Sequence, residues 1–153
     1  MKEFFEYTLK TPIKISKDGE YVNASDVVVY APRPRDKYKV LKLEADLNNA
    51  FLGVFPKINT MIDGVRKQSD AKSNTDDQVG IGSLIIQFAD ADIAVSIMYN
   101  LEQIFLAGTE DKPTITIDGV QMKKTHFGDD GLDLYDLKAL AGGYADHFLS
   151  LGF

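Results

Sequence analysis

The sequence predicts an α+β fold: an N-terminal β-hairpin followed by a mainly α-helical bundle, with a second short hairpin. Three observations carry that expectation. The first thirty residues alternate apolar and polar side chains at the two-residue period of a half-buried strand. The middle and the C-terminus carry apolar stripes at helical spacing. Two Asp-Gly pairs, at 18–19 and 118–119, each sit between strand-like runs, where tight hairpin turns need positive φ. At 153 residues, with 44% hydrophobic and 26% charged side chains, the chain fits a single domain over 1–153.

The hairpin is expected over 1–31. Phe5, Tyr7 and Leu9 alternate with Glu6, Thr8 and Lys10; Pro12 interrupts, and Ile13 and Ile15 resume the pattern. Beyond the Asp18-Gly19 turn, Val27-Val28-Val29-Tyr30 is a β-branched and aromatic run. Pro32 and Pro34 then end the strand. Asp36 is placed as the N-cap of a helical region at 36–66. Val40, Leu43, Leu47, Phe51 and Val54 form its apolar face, with Lys39, Lys42, Asp46 and Asn49 opposite. Pro56 ends or kinks that helix, and Ile58, Ile62 and Val65 mark a short continuation.

Residues 67–80, KQSDAKSNTDDQVG, are too polar to offset the entropy of ordering them and read as a mobile loop. One long apolar helix is expected at 83–107, with Asp92, Ser96, Asn100 and Gln103 as a narrow polar stripe, although Leu84-Ile85-Ile86 at its start fits a strand as well. A helix this apolar must be covered on most sides, by its own core or by another chain. Gly108 and Pro113 close it, and a hairpin follows at 113–123. The C-terminal helix is placed at 130–151, capped by Asp129 or Asp130, with Leu137, Ala141, Tyr144, Phe148 and Leu151 as its stripe. Gly142-Gly143 in its middle implies a close helix contact or a bend.

Composition removes several kinds of chemistry. The chain has no Cys, so thiol catalysis, disulfides and Cys-based metal sites are out. Its net charge of −6 argues against a general nucleic-acid binder, and no run approaches a membrane span, so a cytoplasmic protein that binds no nucleic acid and no membrane is expected. Charge is unevenly divided: residues 1–68 carry +3 and residues 69–153 carry −9. The two halves are suited to attract each other within one molecule or head-to-tail between molecules.

Catalytic and metal-binding patterns are missing. His126 and His147 fall in different elements, and no HExxH, GxSxG, GxGxxG or P-loop pattern occurs. The acidic run Asp129–Asp136 does not place oxygens where an EF-hand needs them, and reads as charge at a helix start. Arg33, Arg35, Lys37, Lys39 and Lys42, with Tyr38 among them, form a local basic patch suited to a phosphate or an acidic partner. No catalytic residue, cofactor or metal ligand is assigned, and a non-enzyme is expected.

Three features together carry a family likeness. A strand ending in Leu9-Lys10-Thr11-Pro12-Ile13-Lys14-Ile15 turns and returns through Val27-Val28-Val29-Tyr30 to Ala31-Pro32-Arg33-Pro34-Arg35-Asp36, where a helix begins. The chain closes with the acidic-capped helix Asp133-Leu134-Tyr135-Asp136-Leu137-Lys138-Ala139-Leu140, followed by Tyr144 and Phe148. This layout resembles the small tail assembly chaperones of long-tailed bacteriophages, over about 40 N-terminal and 20 C-terminal residues. The polar segment at 67–80 and the hairpin at 113–123 make this chain longer than compact members of that family.

The resemblance implies a non-catalytic protein that coats the apolar, helical tape measure protein and keeps it soluble while the tail is built in the host cytoplasm. In that family a longer form, made by ribosomal frameshifting, recruits tail tube subunits, and self-association is expected. Such a chaperone needs apolar surface on a charged, soluble body. Phe51, Phe55, Ile97, Leu101, Ile104 and Phe105 are the residues expected to line the partner-binding groove. Two other readings remain: a structural tail component, tube or connector, and a small α+β enzyme or ligand-binding domain built around His126 or His147 and a carboxylate.

Overall fold

A computed structural model describes residues 3–53 and 81–149. The fold is α+β. Strand β1 spans Phe4–Lys17 and β2 spans Glu20–Tyr30; they pair antiparallel, with Phe5 opposite Val29 and Ile15 opposite Val22. The Asp18-Gly19 turn has φ of 53° and 82°, the paired left-handed geometry of a type I′ hairpin. The second hairpin, β3 (Ile115–Ile117) and β4 (Val120–Gln121), repeats it at Asp118-Gly119, with φ of 48° and 82°.

The second hairpin, expected at 113–123, joins the first. β3 pairs antiparallel with β2, so the two hairpins form one four-stranded sheet in the order β1-β2-β3-β4. Ile115 and Ile117 are fully buried because they lie on an inner strand, facing the core beside Val27 and Val29.

The interruption at Pro12 falls inside one strand. β1 runs through it by a large bulge: pairing shifts between Thr8–Asp26 and Ile13–Ala24, leaving four residues of β1 opposite one of β2. Leu9, the first bulged residue, and Ile13, just past the bulge, both stay buried. The bulged amides are used: Lys10 N and Thr11 N donate to the carboxylate of Asp136, at 2.9 and 3.1 Å, and the Tyr7 hydroxyl donates to it at 2.7 Å. Asp136 is fully buried. Carboxylate and strand thus lock together, and Tyr7's ionisation is pushed up by burial and by that hydrogen bond.

Helix α1 occupies 37–53, after a short 3-10 turn at Pro34–Asp36. The expected N-cap, Asp36, has another task. It is buried and ion-paired to Arg33 at 2.9 Å, because a carboxylate at this depth needs a charge partner. Arg33 also donates to the carbonyls of Lys112 and Ala107, and Arg35 donates to that of Ala107. The basic junction therefore ties the sheet's exit to the carbonyl end of a distant helix, where positive charge is favoured.

The expected single helix at 83–107 is two helices, α2 (Ile81–Phe88) and α3 (Ala91–Leu106), separated at Ala89-Asp90. Asp90 is extended (φ −59°, ψ 151°), and its carbonyl accepts from Ala94 N. The break lets the two halves meet different neighbours. α2 packs on α4 (Leu134–Phe148), while the polar stripe of α3 turns to α1: Ser96 Oγ and Asn100 Nδ2 both donate to Asp46 Oδ2. Asp46, placed on the solvent side of its helix by spacing alone, is instead the polar contact between the two helices.

The last helix is capped by Asp133 rather than Asp129 or Asp130; its Oδ1 accepts from Asp136 N at 2.7 Å. The same carboxylate accepts from Thr11 Oγ1 in the bulge of β1, so the cap also meets the sheet. Leu140, Ala141, Tyr144 and Phe148 face the core, and Phe105 and Phe148 pack edge-on against the Tyr144 ring. The Tyr144 hydroxyl is buried with no hydrogen-bond partner among the described residues. Tyr144→Phe is therefore expected to leave stability unchanged or raise it, by up to about 1 kcal/mol, in urea denaturation.

Close helix contact, the reading of Gly142-Gly143, is found, with Gly82 as the second partner. A Cβ at Gly82 would lie 2.7 Å from Ala145 Cβ and 2.8 Å from the Gly142 carbonyl oxygen. Gly82 N donates to Asp146 Oδ1 at 2.7 Å, so the two helices are held at near-backbone distance. Gly82→Ala is expected to destabilise the fold by about 1–3 kcal/mol, read from thermal or chemical unfolding, because backbone has to move. The predicted loop at 67–80 and the continuation at 57–66 lie outside the described residues.

Candidate functional site: two outward helix faces

The six residues expected to form a partner groove are placed differently. Ile97, Leu101, Ile104 and Phe105 are fully buried and form the centre of the core, packed with residues of the sheet and of α4. Phe51 is half-buried against the same core, and Phe55 lies outside the described residues. These apolar stripes fill the interior, and no groove opens among the described ones in this conformation.

Among the described residues, exposed apolar side chains occur on the sheet (Phe4, Tyr21, Tyr30), at the start of α4 (Leu134, Tyr135) and, at regular helical spacing, on the other side of the same helices. On α1, Tyr38, Leu41, Ala45, Asn48 and Leu52 recur at spacings of 3, 4, 3 and 4, the rhythm of a coiled-coil seam with one polar member. Tyr38 is 83% exposed, Leu41 48% and Leu52 75%, while Asn48 is half-buried. Leu43, Leu47 and Ala50 point to the core, so the seam faces away from it. Lys37 and Lys42 flank its first half, with Lys39 also exposed nearby.

Helix α3 repeats the arrangement with opposite charge. Asp92, Val95, Tyr99, Glu102 and Leu106 follow the same 3, 4, 3, 4 spacing on its outer side. Val95 is 66% exposed and Tyr99 57%. The helix contains no Lys or Arg, and Asp90 precedes it. The sequence reading has α3 covered on most sides and misses both seams. The signal that marks them is a second 3-4 periodicity, about half a helix turn from the first.

The basic patch is divided between structure and surface. Arg33 and Arg35 are committed to Asp36 and to main-chain carbonyls, while Lys37, Lys39 and Lys42 remain exposed. The two histidines also separate. The His147 ring stacks on Phe5, centroids 4.7 Å apart. His126 lies in a half-open groove of about 850 Å³ between the first hairpin and the segment that leads to α4, beside Lys123, Asp130 and Asp133. Its Nδ1 accepts from Lys123 N at 2.9 Å, fixing the ring to its own 3-10 turn, and burial followed by the Lys123 charge lowers its pKa.

Asp133 is bound to Thr11 Oγ1 and to the start of α4, which hold its pKa below the ordinary carboxylate value. Asp129 and Asp130 are exposed. Among the described residues no group of three or more His, Asp or Glu side chains is arranged to hold a metal ion. Nor, among them, is any helix long and apolar enough to cross a membrane. Comparison with protein-family models, curated proteins and solved structures finds no match to this chain.

Proposed function

We propose that the protein is a non-catalytic assembly chaperone of the phage-tail kind, which binds the tape measure protein through surface rather than through a cleft and acts in the host cytoplasm. The observation that carries this reading is the outward seam on α1: Tyr38, Leu41, Ala45 and Leu52 at coiled-coil spacing, on a helix whose other face already fills the core. Such a seam accepts the apolar face of an amphipathic helix. Asn48, the polar member in its second half, weakens that contact and so favours release of the client. The sequence resemblance supplies the client class. Tail tube subunits are a further expected partner, and no cofactor is invoked.

Co-expression with fragments of a helical tape measure protein tests it. The wild-type chain should move such fragments into the soluble fraction, and Leu41→Asp with Leu52→Asp should abolish the effect while leaving the circular dichroism spectrum of the chaperone unchanged. Fragments that stay insoluble in every pairing would overturn the proposal.

A further inference from the structure

We infer that the outer seam of α1 docks on the outer seam of α3 in a second copy of this chain, building a head-to-tail assembly. The inference rests on reading the α1 seam as an interaction surface and names what occupies it when no client is present.

Both halves of the contact are on one chain. The two seams have equal length, Tyr38 to Leu52 and Asp92 to Leu106, roughly 21 Å each at the helical rise. Laid parallel, they match position by position: Leu41 meets Val95, Ala45 meets Tyr99 and Leu52 meets Leu106. The polar positions meet as well. Tyr38 and its neighbour Lys37 face Asp92, and the Asn48 amide faces Glu102, so each carboxylate is offered a donor. Laid antiparallel, the seams would set Leu52 on Asp92 and Leu41 on Glu102, covering charge with apolar surface. A single Asn in the seam thus fixes direction and register.

Charge selects the same pairing. Lys37 and Lys42 edge the α1 seam, with Glu44 half-buried on the same side as Lys37, and Asp92 and Glu102 lie in the α3 seam. Pairing α3 with α3 in parallel sets Asp92 on Asp92 and Glu102 on Glu102, and antiparallel it covers Asp92 with Leu106 and Glu102 with Val95. Pairing α1 with α1 in parallel sets lysines beside lysines. The α1–α3 pairing places the lysine edge along the carboxylate seam.

The contact cannot close within one molecule. Inside the chain α1 and α3 already meet through Asp46, Ser96 and Asn100, on a different side of both helices, and the two seams point away from the core. A contact between unlike surfaces leaves one seam free at each end, so it propagates into a ring or an open chain. The division of charge along the sequence, +3 then −9, thereby has a geometric address.

Charge exchange tests this with purified full-length protein and no client. Analytical ultracentrifugation of the wild type should show concentration-dependent species larger than a monomer, shifting toward monomer as salt rises to about 1 M, where screening acts over about 3 Å. K37E with K42E, and separately D92K with E102K, should each weaken association about tenfold or more. An equimolar mixture of the two variants should regain it, since each then carries what the other lacks. All four positions lie at or near the surface, and an unchanged thermal unfolding curve verifies the fold. A wild type that stays monomeric at every concentration, variants that still assemble alone, or a mixture that fails to recover would each overturn the inference. Assembly without rescue of tape measure fragments retains this contact and removes the client reading; rescue by a monomeric protein does the reverse.

Discussion

Asp136→Ala should destabilise the protein by about 3–5 kcal/mol, because it empties a fully buried carboxylate position and strands three part-buried donors at once. Asp136 is fully buried and accepts from the Tyr7 hydroxyl and from the amides of Lys10 and Thr11. The two amides lie in the β1 bulge and so have no strand partner to return to. Tyr7→Phe removes a single donor and should cost only about 1–2 kcal/mol. A double-mutant cycle between positions 7 and 136 isolates their coupling: the double variant should be less destabilised than the sum of the single ones. Urea denaturation is the measurement, and a loss below about 1 kcal/mol for Asp136→Ala would show that the clasp does not hold sheet and helix together.

Acid should loosen the same region. The neighbouring cap, Asp133, has its pKa lowered, first by the Thr11 hydroxyl and then by the helix-start amide of Asp136. A carboxylate with a lowered folded-state pKa contributes stability that is full above its unfolded value of about 3.8 and is lost as pH falls below that, through the folded value. Thr11→Val should flatten this part of the stability–pH curve, and a curve unchanged by Thr11→Val would rule out that role for the hydroxyl.

Arg33→Met is the second large effect, about 2–4 kcal/mol, since it leaves the buried Asp36 carboxylate with only the more exposed Arg35 guanidinium, 3.9 Å away, as counter-charge. The guanidinium also donates to two main-chain carbonyls, at Lys112 and Ala107, and a lysine cannot reproduce that fork. Arg33→Lys should therefore recover less than half of the loss. Replacing both partners, Arg33→Met with Asp36→Leu, should be milder than Arg33→Met alone, as no orphaned charge remains. Equal destabilisation of the single and double variants would assign the loss to the carbonyl contacts instead.

These two carboxylates also mark where sequence reasoning runs out. Both hairpin turns are legible because Asp-Gly is a local signal: the two residues take positive φ wherever the flanking strands pair. The inward faces of α1 and α4 are legible for the same reason, since Leu43, Leu47, Tyr144 and Phe148 follow helical spacing. Asp36 and Asp136 look like ordinary acids at helix starts. What makes them structural is a partner set that only the fold supplies; Tyr7 and Asp136 are 129 positions apart. The break at Ala89-Asp90 is hidden too, because apolar residues continue on both sides of it and periodicity hardly changes. The outward seams are masked by their neighbours, and each is diluted by polar members, Asn48 in one and Asp92 and Glu102 in the other. Once one apolar stripe explains a helix, a second, patchier one reads as noise.

The spatial order of the strands matches their order along the chain, yet β2 and β3 are separated by everything from Ala31 to Thr114. The first hairpin closes on itself within a few residues and can form early. The inner β2–β3 ladder cannot nucleate locally, because its two strands find each other only after the intervening helices have brought them near. Refolding should accordingly show the β1–β2 amides protected from hydrogen exchange before those of Ile115–Ile117. During that interval Val27 and Val29 present an uncovered strand edge, which makes the newly made chain most vulnerable to aggregation just before β3 arrives.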